Sequence, residues 1–212
     1  MRNLQIDGPR QPAAGGGSPR QLVVLLHGYG ADGNDLIGLA PYLARLLPHA
    51  YFVAPNAPEP CGMAPTGYQW FPIGSFDEAE RRRGVEAAAP LLDSFLDREL
   101  QRHGLDERSL ALVGFSQGTM MSLHVGLRRP RPVAGIVGFS GALVAPERLA
   151  EEVTAAPPIL LVHGDADDLL PHVIQVHDSN HQAVSHQDGG EDLAPPLDDF
   201  QFMAEFHLGG NL

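Results

Sequence analysis

Hydrophobic residues fall along this chain in two alternating patterns. Short unbroken apolar runs at 22–26, 51–54, 110–113, 133–139 and 159–162 are what strands buried on both faces of a parallel sheet require. Between them, apolar residues recur at helical spacing. Leu36, Leu39, Ala40, Leu43, Leu46 and Leu47 form one stripe, and Val85, Ala88, Ala89, Leu92, Phe95, Leu96 and Leu100 form a longer one. A third helix is expected over 119–127, ending before Pro130. Asp32 or Asn34 stands where the first helix needs a cap. Pro41 falls within its first turns, where a missing N–H need not break it, and Pro90 is expected to kink the second helix. Strands alternating with amphipathic helices imply βαβ units on a doubly wound, mostly parallel sheet.

The punctuation between these elements completes the plan. Residues 8–19 are crowded with Gly and Pro and read as a flexible lead-in, so the N-terminal 19 residues are set apart from a single domain over 20–212. Residues 59–77 read as a long surface loop and 185–199 as an acidic one, with a last strand at 200–206. No internal repeat is evident.

Composition narrows the function classes. A formal net charge of −12 argues against nucleic acid, which needs clustered cations. The run Arg81–Arg83 reads as a solvated helix start. No apolar run is long enough to span a membrane. The polar first ten residues do not resemble a signal peptide, and the single cysteine, Cys61, fits a reducing compartment. A cytoplasmic location is therefore expected.

The chemistry centres on Gly114-Phe115-Ser116-Gln117-Gly118. This G-x-S-x-G stands between a strand and a helix, where a sharp turn lifts the serine above the C-terminal edge of the sheet. Glycines on either side remove side chains that so tight a turn cannot hold. A serine hydroxyl needs a base and two oxyanion donors. The loop His27-Gly28-Tyr29-Gly30 follows the first buried strand, so the donors are expected to be the backbone N–H groups of Tyr29 and Gln117. His27, within that turn, is expected to be structural rather than the base. Asp165 and Asp167 both follow the strand at 159–162 and compete for the triad acid, with Asp168 a weaker third.

Taken together, LLHGYGADGNDL (25–36), APNAP (54–58), YQWFPI (68–73), LVGFSQG (112–118), GIVGFSGAL (135–143) and LLVHGDADDLLP (160–171) resemble the acyl-protein thioesterase, or phospholipase/carboxylesterase, family of small α/β-hydrolases. The resemblance covers about residues 20–171. It implies an α/β-hydrolase fold in one domain with a minimal lid, Ser116 as nucleophile, and the second aspartate of the motif, Asp167, as acid. It also implies a substrate groove near Trp70 and Phe71, to which Met120 and Leu169 are added as lining. Family members hydrolyse carboxylic esters, some of them acyl thioesters or lysophospholipids, and need no metal or cofactor. The expected partner is a small-molecule or lipid-like ester, and a homodimer is the assembly to test.

The resemblance stops at the C-terminal stretch 172–212. The family's base histidine lies in a G-x-x-H-G-like turn some thirty residues after the acid, but the corresponding stretch here is Leu197, Asp198, Asp199 and Phe200. His207, after the strand-like 200–206, is the chosen base. His186 and the absence of any competent base in the chain stay open beside it. An impaired family member that binds acyl groups or a partner is the alternative function. Dienelactone-hydrolase-like chemistry is a further rival, but it uses a cysteine where this elbow has serine. His177 and His181 have a metal-like i, i+4 spacing but lack a third ligand in a recognisable pattern. Cys61 reads as an inert thiol.

Overall fold

In the computed structural model, which describes residues 5–74 and 77–163, the chain begins with β1 (Arg10–Gln11), β2 (Gln21–Leu26), the short helices α1 (Gly33–Ile37) and α2 (Ala40–Leu43), and β3 (Ala50–Val53). A small hairpin, β4 (Glu59–Pro60) and β5 (Tyr68–Gln69), precedes the long helix α3 (Glu78–His103). Then come β6 (Leu110–Phe115), α4 (Gln117–Gly126), β7 (Gly135–Phe139), α5 (Leu149–Glu152) and β8 (Ile159–Val162). Among the described residues the main sheet has six strands in the order β1-β3-β2-β6-β7-β8. All neighbours are parallel except β1, which pairs antiparallel with β3.

Strand β2 shows how the pattern builds the core. Leu22, Val24 and Leu26 join the cluster under α3 and α4. Val23 and Leu25 join a second cluster on the other face, under α1 and α2. Period-two alternation thus sends an all-apolar strand into two cores at once. Each fully buried leucine contributes about 1.5–3 kcal/mol through burial. The chain moves from β2 to β3 on one side and from β6 to β7 on the other. The ends of β2 and β6 therefore flank a topological switch point, where open α/β sheets form a crevice.

Three expectations need correction. The apolar stripe at 36–47 does not form one helix, because Gly38 caps the C-terminus of α1 and Pro41 sits at the start of α2. Pro41 has no N–H to carry the ladder across the junction. Residues 8–19 do not simply trail from the domain: β1 pairs with β3, and Ile6 just before them lies in the core. The loop at 59–77 contains the β4–β5 hairpin. By contrast α3 keeps its predicted stripe, with Val85, Ala88, Leu92, Phe95, Leu96 and Leu100 buried. Asp77 caps its start and Gly104, at φ 65°, its end. The helix is continuous through Pro90. No helix among the described residues is long and apolar enough to cross a membrane.

Beyond the C-terminal end of α4, buried Arg129 donates hydrogen bonds to Asp93 and Asp97 of α3 at 2.6 and 2.7 Å, and to Glu107 at 3.2 Å. His124, on α4, is not so provided for. It is buried, and its Nδ1 has no hydrogen-bond partner among the described residues. Burial foremost, then the charge of Arg128, push its pKa from 6.5 down to about 4, against the weaker pull of Glu152 and Glu86.

His124 is neutral when folded but takes a proton readily when unfolded. Its stabilising effect is therefore present above pH 6.5 and lost as pH falls toward about 4. Urea titrations should show a loss of about 3 kcal/mol from this group across that window. His124→Gln should have a shallower acid limb. An identical pH slope in wild type and variant would take His124 out of the acid response.

Candidate active site

Ser116 stands between the last residue of β6 and the first of α4, with φ 52° and ψ −114°. That conformation is strained for a residue with a side chain. It is not the extended geometry of an ordinary helix cap, and the Ser116 side chain makes no capping hydrogen bond. Asp32 and Asp77, which do cap helices, show the contrast. The Ser116 N–H donates to the Phe139 carbonyl at 2.9 Å, fixing the turn against β7. Ser116 is half-buried at the N-terminus of α4, where free backbone N–H groups favour negative charge.

The turn needs its glycines for contact reasons. A Cβ on Gly114 would overlap the backbone of Gly118 and Thr119, and a Cβ on Gly118 would overlap the Leu26 carbonyl. α4 therefore begins directly against the end of β2. Gly28 lies against the same turn: a Cβ there would fall 3.3 Å from the Ser116 Cβ and 2.9 Å from the Phe115 ring. The structure thus brings the 27–30 loop and the elbow together, with Tyr29 one residue beyond Gly28 and Gln117 one beyond Ser116.

His27 is spent on structure, as expected. Its Nδ1 donates to the Gly28 carbonyl at 2.8 Å, and its Nε2 accepts from the Ala57 N–H at 2.9 Å. Burial lowers its pKa, so the ring is neutral with both nitrogens occupied and has no lone pair for Ser116. The loop itself is braced by the hairpin. Gly30 N–H donates to the Tyr68 carbonyl at 2.9 Å, and Tyr68 N–H to the Ala31 carbonyl at 2.8 Å. The Tyr29 hydroxyl hydrogen-bonds Cys61, which raises its pKa.

The other expected residues divide. Trp70 and Phe71 are only 1% and 3% exposed. They line a cavity of about 370 Å³ against α3, together with Pro58, Arg83, Gly84 and Leu91. Met120 is buried in the core under the elbow. Asp167, Asp165, Asp168, Leu169, His186 and His207 lie outside the described residues. Two neighbours of Ser116 were passed over in the sequence. Phe115 is 48% exposed and presents apolar surface at the turn. Ser140 has φ 45° at the end of β7. A signal existed: Gly-Phe-Ser occurs at 114–116 and again at 138–140, and the β6–β7 register sets Gly114 and Phe115 opposite Gly138 and Phe139.

Comparison with known proteins bears on the same arrangement. Residues 12–192 match the family model described as Phospholipase/Carboxylesterase. The chain is 33% identical to acyl-protein thioesterase 1 of Schizosaccharomyces pombe over 164 residues, covering 72% of this chain and 70% of that protein. It is 29% identical to esterase YpfH of Escherichia coli over 165 residues, covering 78% and 67%. Among solved structures, the crystal structure of esterase PE8 is 48% identical with a TM-score of 0.76, covering 79% of this chain and 78% of that one.

The elbow's dependence on a bare backbone can be tested directly. Gly118→Ala should cost about 3 kcal/mol and lower Tm by roughly 6–12 °C. A calorimetric scan in which the variant melts with the wild type would show that α4 can retreat from β2 without loss.

Proposed function

The chain belongs to the phospholipase/carboxylesterase family and is a carboxylesterase-like hydrolase, and on that premise we propose that it cleaves carboxylic esters through an acyl-enzyme on Ser116. The observation that carries this reading is the Ser116 turn, strained and free of capping duty at the switch point between β2 and β6. The Ser116 Oγ attacks the ester carbonyl carbon, and its proton passes to a histidine. The carbonyl oxygen, now negative, receives the backbone N–H groups of Tyr29 and Gln117. The tetrahedral intermediate collapses, the leaving alcohol or thiol takes the proton, and the acyl group stays on Ser116. Water activated by the same histidine then releases the acid.

The proposed acid is Asp167 and the proposed base His207. Acyl thioesters and lysophospholipids are the finer substrate classes, in line with the thioesterase relative from Schizosaccharomyces pombe. The acyl chain would lie over the apolar surface of Phe115, with Tyr29 and Leu169 as further proposed lining, while Trp70, Phe71 and Met120, which are buried, would support that surface from beneath. The relatives named above are enzymes, which weighs against a purely binding role.

Ser116→Ala should abolish hydrolysis of p-nitrophenyl butyrate while leaving circular dichroism and Tm intact; undiminished turnover would remove Ser116 from the mechanism. Asp167→Asn should lower kcat by about 10³–10⁴-fold with little change in KM, whereas Asp165→Asn should act mainly on stability. Equal kinetic losses in two folded variants would reject that division. With His207 as base, the rate should rise to a plateau through roughly pH 6–8, around the ordinary histidine pKa. His207→Ala should remove the plateau. A plateau lost in His186→Ala instead would move the role to that residue.

A further inference from the structure

The Gln117 side chain has a task distinct from that of its backbone. It is 1% exposed. Its Oε1 accepts from the Trp70 N–H at 3.1 Å, and its Nε2 donates to the Phe71 carbonyl at 2.9 Å. A carboxamide carries donor and acceptor together, as a peptide group does, so the one Gln117 side chain satisfies both the Trp70 N–H and the Phe71 carbonyl at the bend that follows β5. The same segment holds the 27–31 loop. The Trp70 indole N–H donates to the His27 carbonyl at 3.0 Å, and Tyr68 exchanges two backbone bonds with Gly30 and Ala31. Residues 68–71 are therefore a clamp, with Gln117 on one side and the loop carrying Tyr29 on the other.

We propose that the Gln117 carboxamide is a positioning residue for the oxyanion site: it ties the 68–71 clamp to the elbow and so sets the separation of the Tyr29 and Gln117 N–H groups. This inference rests on the function proposed above. Without the carboxamide, the clamp still grips the 27–31 loop but loses the elbow. The Trp70 N–H and Phe71 carbonyl are then buried without these partners, and the segment shifts to satisfy them. A displacement of the two donors is felt where charge develops on the substrate oxygen, hence in the transition state more than in binding.

The test uses the full chain, with p-nitrophenyl butyrate for turnover and a fluorophosphonate for the rate of Ser116 labelling. Gln117→Met keeps the length and apolar bulk of the side chain and removes both hydrogen bonds. It should lower kcat and the labelling rate together by roughly 10- to 100-fold, with KM within about threefold of wild type. Trp70→Phe, which keeps an aromatic ring but removes the indole donor and part of its buried bulk, should lower kcat in the same direction. The double variant should fall no further than the worse single one, because both break one linkage. Wild-type kcat in Gln117→Met, a loss confined to KM, or losses that multiply in the double variant would each overturn the proposal. If Gln117→Met does not fold, unchanged kcat in folded Trp70→Phe overturns it equally. A wild type that neither labels nor turns over ester would overturn the hydrolase mechanism and this inference with it. A wild type that labels normally beside an equally fast Gln117→Met overturns this inference alone.

Discussion

The site depends on one contact between bare backbones: the first turn of α4 against the end of β2. Gly118 lies where any Cβ would enter the Leu26 carbonyl, and Gly114 where one would enter Gly118 and Thr119. Strand β6 can turn back into a helix within so few residues only because nothing projects from these positions. The cost of the turn appears in the backbone of Ser116, whose φ of 52° is unfavourable for a side-chain-bearing residue. The neighbouring strand supports that conformation through the Ser116 N–H to Phe139 carbonyl bond.

Around this contact the buried polar groups are arranged to hold three separate segments in register. His27 spans from its own loop to Ala57, Trp70 returns to the His27 carbonyl, and Gln117 closes the circuit from the elbow to Trp70 and Phe71. Most of these groups are inaccessible to water, so leaving any one unpaired would cost its full desolvation. Such a network stiffens the ground below Ser116, whose side chain is left free of capping duty. Stabilisation beyond the other end of α4 is of another kind. Arg129 joins α3 to the segment after α4 through carboxylates that are partly in water. Those pairs secure α3 against the segment that follows α4.

Much of the architecture was legible in the linear chain because its signals are local. Five apolar runs marked five strands, and their order of appearance between amphipathic segments implied a parallel sheet. G-x-S-x-G between a strand and a helix marked the turn, since glycine spacing reports a steric demand within a few residues. The structural role of His27 was legible for the same reason. The break between α1 and α2 was misread, although Gly38 and Pro41 were in view, because a continuous apolar stripe outweighed two punctuating residues. The β4–β5 hairpin was missed because its strands are only two residues each and carry no alternation to detect.

Sequence by itself determined the five central strands, the long helix α3 and the helix after the elbow, the family and the serine at the apex of the elbow, all encoded in short windows where side-chain size and polarity act on adjacent backbone. Tertiary structure alone decided that Gln117 pairs with Trp70 and Phe71, 47 and 46 residues away. It alone decided that Trp70 and Phe71 lie buried against α3, and that Phe115 is the apolar residue turned outward beside Ser116. These are relations between segments distant in the chain, set by how β2, β6 and the hairpin close on one another. A hydrogen bond across such a distance leaves no periodicity in the sequence, because its partners are chosen by packing rather than by spacing.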